Sequence, residues 1–331
     1  MRVRYSAKRY TLKWKNRKQE KYRYKEQKKI KARRQHKKPH LVHSAPIQFS
    51  LIKNTKGVLK YFHDAEELMK AGENVKFDIS NVEELTSDTI ALLVAHVKDE
   101  DSRHGCDVSG NEPKDPKLRK IFAESGFYKH VTALTFRQSR KDALLHQEVN
   151  KVVVTKVAKE ASLLGLRNVF NSEDSNEGLY NTIIECMSNT NNHADFNGEG
   201  KCNWWLYVYN HPDEHRTSYS FFDLGVGIFR SAGVQNYLAR KIMKVTGVKK
   251  DIDLVNDLLA GKIKSKAKRD KDIRGKGIPE IVKHSKLGQF KEFYLIANDV
   301  KVDLKTGARE ELPYELGGTF WHWELAKNNG N

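Results

Sequence analysis

Residues 178–193 read GLYNTIIECMSNTNNH. Apolar side chains recur through this stretch at helical spacing, so the sequence predicts a single amphipathic helix. Glu185, Asn189 and His193 follow one another at intervals of four residues, which places a carboxylate, an amide and an imidazole along one stripe of that helix. Polar residues on one helix face usually mark the side that faces solvent. The meaning of the stripe therefore depends on the motifs that follow it.

The next motif joins a strand to a glycine-rich turn. Residues 217–222 have the composition of a strand, and the pentapeptide DLGVG follows directly at positions 223–227. Glycines at a strand end let the backbone come within contact distance of a flat ligand, and a carboxylate there can accept a hydrogen bond from an exocyclic amine. Adenine carries such an amine. An ordinary turn is the alternative interpretation of these glycines.

Two further glycine motifs follow. Residues 274–278 read RGKGI and open a predicted helix over residues 279–284. The free N–H groups at the start of a helix can bind phosphate. Residues 317–319 read GGT and open an alternating strand over residues 320–325. The sequence thus places four motifs suited to a nucleotide in one segment of the chain.

The order of these motifs resembles the GHKL superfamily of ATP-binding proteins, which includes DNA gyrase, histidine kinases and the anti-sigma-factor kinases. The Glu-x3-Asn-x3-His-Ala form over residues 185–194 looks most like the anti-sigma-factor kinases. The resemblance implies a two-layer α/β sandwich with a mixed sheet over residues 151–331, and it implies that this domain binds ATP with magnesium.

The resemblance also implies roles for individual residues. Asn189 would ligate Mg²⁺, Glu185 would orient or deprotonate the attacking group, and Asp223 would hold the adenine amine, with Thr319 helping through a water molecule. For His193 two roles stay open, one in the site and one that is structural, at the end of its helix. The other implied contacts to ATP are Gly225 and Gly227 beside the base and Arg274, Gly275, Lys276 and Gly277 around the phosphates.

The region between Gly227 and Arg274 corresponds to the ATP lid of the superfamily. It contains about 46 residues, with lysines crowded near its end. A long segment with glycines at both ends suits a lid that orders on a triphosphate and relaxes when the triphosphate is lost. The alternative is an ordinary exposed loop.

A second resemblance lies upstream. The stretch VKFDISNVEELTSDTIALLVAHV at residues 75–97, with CDVSGNEPKDPKLRKIFAESGF at 106–127, resembles the STAS domain of anti-sigma-factor antagonists. It predicts a small α/β domain over residues 46–150. The predicted elements are a strand over residues 75–79 and helices over residues 87–98 and 117–125. Ser87 stands where that family carries a regulatory serine, and the alternative is that Ser87 caps its helix.

The charge of the chain is concentrated at one end. Residues 1–40 hold 18 Lys or Arg against two Glu, which is +16 of the formal +18, and five aromatic residues are interleaved with them. This composition predicts an arm over residues 1–45 that is disordered, or helical only when bound. RNA or DNA is one candidate partner of the arm, and an acidic protein is the other.

The remaining features of the composition bear on location and redox state. No apolar run reaches the length of a membrane span, and no secretory signal follows the basic start. We therefore expect a cytoplasmic protein. Cys106, Cys186 and Cys202 show no CxxC spacing, so the cysteines suggest neither a disulfide framework nor a zinc site.

Three uses of ATP are compatible with these motifs. They are a slow ATPase that acts as a conformational switch, a serine/threonine kinase of the anti-sigma-factor type, and a nucleic-acid-binding adaptor that uses ATP structurally. Glu185 favours the first two because it supplies a carboxylate for the attacking group. The switch is preferred because residues 86–88 read TSD and lack the glycine of the usual phosphoacceptor loop. The STAS-like domain could then bind a protein partner.

If the arm binds nucleic acid, deletion of residues 1–40 should abolish that binding and leave ATP affinity unchanged. Each phosphate neutralised adds roughly 0.7 to 0.9 to the slope of log affinity against log salt concentration, so about five contacts should give a slope of magnitude about 3.5. Fluorescence anisotropy with labelled single-stranded RNA and DNA over a salt series measures this. A flat salt dependence, or equal binding by the truncated chain, would exclude the arm as the binding site.

Overall fold

The computed structural model describes seven segments of the chain, which are residues 38–99, 103–131, 143–148, 153–193, 203–231, 250–262 and 277–327. Most of the predicted basic arm lies outside these segments, and so do Arg274, Gly275 and Lys276. Within the seven segments, no helix combines the length and the apolar character needed to cross a lipid bilayer.

The architecture is mixed α/β, as the sequence predicted. The strands of the described segments are β1 (His40–Ser44), β2 (Gln48–Phe49), β3 (Asn74–Asp78), β4 (Glu84–Leu85), β5 (Val108–Gly110), β6 (Ala143–Glu148), β7 (Trp204–His211), β8 (Arg216–Asp223), β9 (Phe290–Asp303) and β10 (Arg309–Ala326). The α-helices of these segments are α1 (Thr55–Lys70), α2 (Ser87–Lys98), α3 (Pro116–Glu124), α4 (Thr155–Phe170), α5 (Glu177–His193), α6 (Ile228–Ser231), α7 (Val255–Leu259) and α8 (Gly277–Ser285).

The strands form three sheets. A three-stranded sheet has the order β1-β3-β5, a two-stranded sheet joins β2 to β4, and a five-stranded sheet has the order β6-β7-β8-β10-β9. The first two sheets are parallel, and every pairing in the third is antiparallel. The sequence predicted a mixed sheet for residues 151–331, and this is wrong for the described strands. Short connections between β7 and β8 and between β9 and β10 favour antiparallel pairing.

Two predicted boundaries shift because strand partners lie far away in the sequence. Strand β1 falls within the predicted arm of residues 1–45, yet it pairs along its whole length with β3, from His40 opposite Asn74 to Ser44 opposite Asp78. Strand β6 falls before the predicted boundary at residue 150, yet it pairs with β7 in the five-stranded sheet. Residues 40–44 therefore belong to the first unit, and residues 143–148 belong to the second.

The predicted elements of the upstream unit are confirmed. Strand β3 covers Asn74–Asp78, helix α2 begins and ends where the sequence placed it, and α3 is shifted toward the N-terminus by one residue. The N-cap of α2 is Thr86, and Ser87 is the first helical residue. The interpretation of Ser87 as the cap is therefore wrong, because the extended backbone that marks a cap residue falls one position earlier.

Helix α2 is buried on all its sides over most of its length. Residues 87–95 are all buried, including Asp88 and Thr89. The helix packs against β7 and β8. It also belongs to a hydrophobic cluster that includes Phe77 of β3 together with Trp205 and Phe222 of the five-stranded sheet. A helix without a polar face is stable only inside such a core.

The five-stranded sheet is covered on both faces. Alternate residues point to opposite sides of a strand, so Trp204 and Trp205 enter different clusters. Trp205, Phe222 and Phe320 belong to the cluster that holds α1 and α2, whereas Trp204 and Trp321 belong to the one that holds α4 and α5. The predicted two-layer sandwich is thus extended by a further helical layer from the upstream unit.

Replacing Leu92 by Ala should lower the free energy of unfolding by about 2 to 5 kcal/mol, because Leu92 is fully buried in the shared core and its truncation leaves a cavity. Lys98→Ala, on the exposed end of the same helix, should change it by less than about 0.5 kcal/mol. Urea denaturation followed by circular dichroism and by tryptophan fluorescence measures both. The two signals should shift together, and a shift in only one of them would contradict a core shared by the two units.

Candidate functional site

Helix α5 carries the polar stripe that the sequence singled out. It begins at Glu177, one residue before the predicted start. Asn176 caps it, since the backbone N–H of Leu179 donates to Asn176 Oδ1 at 2.9 Å. The apolar side of α5 is buried in the cluster on the second face of the five-stranded sheet. Glu185 and Asn189 are partly exposed.

The first residue of α8 touches both of these side chains. A Cβ atom built on Gly277 would lie 2.5 Å from Glu185 Oε2 and 3.2 Å from Asn189 Oδ1. Only a glycine permits so close an approach of backbone to side chain. The predicted phosphate-binding helix start is therefore adjacent to the carboxylate and the amide of α5. The helix begins at Gly277, two residues before the predicted start at 279.

Asp223 ends β8 and is nearly buried, with 6% of its surface exposed. The backbone N–H of Gly225 donates to Asp223 Oδ1 at 3.0 Å, and the Thr190 hydroxyl donates to Oδ2 at 3.5 Å. Burial raises the pKa of Asp223 to about 7, although these hydrogen bonds act in the opposite direction. Thr190, one turn beyond Cys186 on α5, was not found from the sequence because a buried helical threonine carries no local signal.

The turn after Asp223 is held by a residue from another strand. Gly227 has φ +79°, and a Cβ atom on it would lie 2.5 Å from the Asn298 side chain. Asn298 Nδ2 donates to the Val226 carbonyl at 3.0 Å, and Asn298 itself has φ +52°. Left-handed backbone is uncommon outside glycine but asparagine tolerates it. Asn298 is thus a second residue that the sequence motifs missed.

Strand β10 crosses directly beside Asp223. Gly318 has φ +128°, and a Cβ atom there would lie 1.9 Å from the Asp223 carbonyl oxygen. Thr319 is the strand partner of Asp223. A Cβ atom on Gly317 would meet nothing within 4 Å. Gly318 is therefore the glycine of the GGT motif that the geometry requires.

These elements enclose a cavity of about 270 Å³, including its open mouth. Its described lining consists of Cys186, Asn189, Asp223, Gly227, Ile228, Thr319 and Trp321. This volume includes open solvent, and the enclosed part of the cavity has room for only about one water molecule. Within the described part of the chain, Asn189 Nδ2 is buried and has no hydrogen-bond partner. Such an atom at the cavity wall is suited to a polar ligand.

Glu185 has the environment of a potential general base. Its side chain is partly buried at the start of α8, and desolvation, followed by the charge of Glu280, raises the pKa of its carboxyl group. A carboxylate whose pKa is raised toward neutrality holds a proton more readily when one is transferred to it. Glu185, Asn189 and Asp223 therefore place two carboxyl groups and one amide in one region of the fold.

Part of the predicted lid belongs to the folded body. Residues 251–254 form a 3₁₀ turn that leads into α7, and this segment packs against β9, β10 and α8. Val255 and Leu258 of α7 are almost completely buried. The rest of the segment between Gly227 and Arg274 lies outside the described residues, apart from residues 228–231, 250 and 260–262. The His193 side chain also lies outside them.

Ser87 lies apart from this cavity. It stands at the start of α2, on the opposite face of the five-stranded sheet, and only 9% of its surface is exposed. The structure thus brings together Asn189, Asp223, Gly227 and Thr319 in the cavity lining, and Glu185 and Gly277 beside it, but it does not place Ser87 among them.

Comparisons of the chain with protein-family models, with curated proteins and with solved structures found no match.

The raised pKa of Asp223 predicts a specific dependence of stability on pH. Between about pH 4 and 7 the folded state keeps a proton that the unfolded state has lost, so the stability of the wild type falls as the pH rises through this window. Asp223→Asn removes the effect. The free energy of unfolding of Asp223→Asn minus that of the wild type should therefore rise by as much as about 4 kcal/mol from pH 4 to 7, at 1.36 kcal/mol per pKa unit. Above pH 7 the difference should level off.

Urea denaturation of the ligand-free proteins at pH 4.5 to 8 measures this difference. Asp213→Asn, in the exposed turn between β7 and β8, controls for the loss of one carboxyl group. A difference between the wild type and Asp223→Asn that stays constant over the whole range would show that Asp223 titrates in the same way in the folded and unfolded states.

Proposed function

We propose that β6 and residues 153–327 form a GHKL-type ATP-binding domain, joined to a STAS-like unit over residues 38–131, and that the protein is a slow ATPase acting as a nucleotide-driven conformational switch. The observation that carries this proposal is the convergence of Glu185, Asn189 and Gly277 with the cavity of Asp223 and Thr319. Residues from four separate motifs meet there, although up to 134 positions separate them in the sequence.

The residues at the inner end of the cavity have the chemistry to bind adenine once the cavity opens to admit it. Asp223 offers a buried carboxylate that can accept from the exocyclic amine, and Thr319 on the neighbouring strand offers a hydroxyl within reach of the same ligand edge. The Ile228 and Trp321 side chains supply apolar walls for a flat ring. The absence of a Cβ atom at Gly227 and Gly318 lets the backbone pack against the Asn298 side chain and the Asp223 carbonyl beside the cavity.

The outer end of the cavity suits a magnesium-bound phosphate chain. Asn189 would hold Mg²⁺ through Oδ1, a hard oxygen donor of the kind that this ion accepts beside water and phosphate oxygens. The ion would neutralise charge on the phosphates. The N–H groups at the start of α8 lie next to Asn189 and can bind phosphate oxygens, and Arg274, Gly275 and Lys276 precede them directly in the chain.

Glu185 would act on the attacking water. Its carboxylate lies next to Gly277 at the start of α8, as the Asn189 side chain does. A water molecule held by Glu185 would therefore face the end of a phosphate chain bound at the start of α8. The raised pKa of Glu185 favours uptake of the proton that the water loses. A carboxylate in this role contributes to turnover more than to nucleotide binding.

The hairpin of β9 and β10 supports a switch that reaches the upstream unit. Glu310 pairs with Lys56 of α1 at 2.8 Å, and the next residue, Glu311, pairs with Lys250 of the lid region at 2.7 Å. Successive strand residues point in opposite directions, so one strand contacts the lid region on one side and α1 on the other. Exposed ion pairs contribute little energy. The buried Leu312 of the same strand supplies a firmer contact with the core of α1.

The burial of Ser87 disfavours a kinase that phosphorylates its own STAS-like unit. A kinase acting on its own STAS-like unit would need the Ser87 hydroxyl in the cavity, whereas it is buried at the start of α2. A kinase acting on another protein remains the second candidate, supported by the likeness of the α5 motif to anti-sigma-factor kinases. The basic arm adds RNA or DNA as a proposed partner.

Asp223→Asn should weaken ATP binding at least tenfold, because the amide lacks the acceptor charge and can turn a donor toward the adenine amine. Glu185→Ala should bind Mg-ATP with nearly unchanged affinity but release phosphate at least 100-fold more slowly. Glu177→Ala, on the exposed first turn of the same helix, should match the wild type in both. Isothermal titration calorimetry measures binding, and radiolabelled ATP distinguishes released phosphate from labelled protein.

Unchanged affinity in Asp223→Asn would contradict the adenine assignment. Equal phosphate release by the wild type and Glu185→Ala would remove Glu185 from the mechanism. Labelled protein in place of free phosphate would replace the switch by a kinase, and neither product would replace it by the adaptor.

A further inference from the structure

A second polar cluster lies on the opposite face of the five-stranded sheet from the nucleotide cavity. It consists of Glu292 on β9 with His322 and Glu324 on β10. One carboxylate oxygen from each Glu and one imidazole nitrogen all lie within 4.8 Å of one another. Thr319 and Trp321 face the nucleotide cavity, and the alternation of side chains along β10 turns His322 and Glu324 to the other side.

We propose that Glu292, His322 and Glu324 bind one divalent transition-metal ion, of which Zn²⁺ is the test case. Two carboxylates and one imidazole form a mixed oxygen and nitrogen donor set that suits Zn²⁺ or Mn²⁺. The site is built on two paired strands, so the positions of its three ligands are set by backbone hydrogen bonds. This proposal does not depend on the proposed ATPase.

The groups around two of the three ligands hold them in orientations suited to a metal. Ser220 Oγ lies 3.1 Å from His322 Nδ1, so the other ring nitrogen, Nε2, is directed away from this contact. Arg216 and the Ser218 hydroxyl both donate to Glu324 Oε1, which leaves Oε2 as the oxygen for an ion. Metal-binding histidines and carboxylates are generally oriented by hydrogen bonds of this kind.

A buried carboxylate whose charge reaches the cluster provides a second observation. Asp88, at the start of α2, is 1% exposed. Its Oδ2 accepts from the Ile52 N–H at 3.0 Å, but Oδ1 is buried and has no hydrogen-bond partner in the described segments. The charge of Asp88 acts on both His322 and Glu292. A buried carboxylate oxygen left in this state is costly.

Two basic side chains lie near the cluster, but neither donates a hydrogen bond to Asp88 Oδ1. Arg216 is held by Glu324 and Glu214. Lys301 donates to the Ile52 carbonyl at 2.5 Å and to the Thr55 hydroxyl at 2.9 Å. The charges of Lys301 and Lys53 already act on Asp88. A divalent ion among Glu292, His322 and Glu324 would add further positive charge near the start of α2.

Zn²⁺ binding by the full chain, first stripped with a chelator, tests the proposal. Competition with a chromophoric chelator measures affinity, and elemental analysis after dialysis measures stoichiometry. After dialysis the wild type should retain one additional Zn²⁺ compared with Glu292→Gln. The affinity for this additional ion should fall at least tenfold in Glu292→Gln and in His322→Gln. Glu310→Gln, which removes an exposed carboxylate from the same hairpin, should bind as the wild type does.

Two further measurements keep the result interpretable. Zn²⁺ should raise the melting temperature of the wild type but not that of Glu292→Gln, because an ion that binds only the folded state stabilises it. Asp223→Asn, which alters only the nucleotide cavity, should keep the extra Zn²⁺. Equal stoichiometry and affinity in the wild type and Glu292→Gln would overturn the proposal, since any zinc would then be held elsewhere, and so would the absence of zinc uptake by the wild type.

Discussion

The burial of residues 87–95 of α2 is the constraint on which the rest of the fold depends. Nine consecutive residues of this helix are buried, so every polar group among them needs a partner inside the protein. Thr89 donates to the Phe49 carbonyl at 2.6 Å, and Asp88 accepts from Ile52. These bonds attach the start of the helix to the segment around β2. The apolar remainder of α2 requires a large apolar surface on its other side, which β7 and β8 supply. The two units are therefore joined through a common core and not by a linker alone.

The cavity beside Asp223 depends on close approaches that only glycine allows. At Gly277 the start of α8 comes against Glu185 and Asn189, and at Gly318 the strand β10 comes against the Asp223 carbonyl. A side chain at Gly318 would push β10 away from the Asp223 backbone, whereas one at Gly277 would displace the end of the Glu185 side chain. Gly227 is equally constrained, but there the neighbour is the Asn298 side chain, which also holds the turn. The glycine motifs thus reflect contacts between elements that are distant in sequence.

The sequence predicted those parts of the site that local chemistry determines. The helix of Glu185 and Asn189 was predicted because its apolar period and its polar stripe are both local, and Asp223 was found because a strand and two glycines flank it. Thr190 and Asn298 were missed. The contact of Asn298 with the turn depends on an irregularity in the β9–β10 register near residue 298, which no local pattern encodes. The predicted boundaries near β1 and β6 were wrong because strand partners distant in sequence leave no local pattern. Strand β6, for example, pairs with a strand about 60 positions further along the chain.

The five-stranded sheet carries different chemistry on its two faces, and this bears on how a switch could work. Thr319 lines the cavity beside Asp223 on one face, and three residues later His322 lies in the polar cluster near α2 on the other. A strand paired on both sides cannot slide by one residue without moving every side chain to the wrong face. A change of register in β10 therefore cannot couple the two faces of the sheet, because it would remove apolar side chains from both cores. A movement of the hairpin end as a rigid element is a different route, with the segment of Lys250 attached at Glu311 and α1 attached at Glu310. Such a movement would carry Leu312 with it, which is buried in the cluster that holds α1, so it would change the contact between the two units.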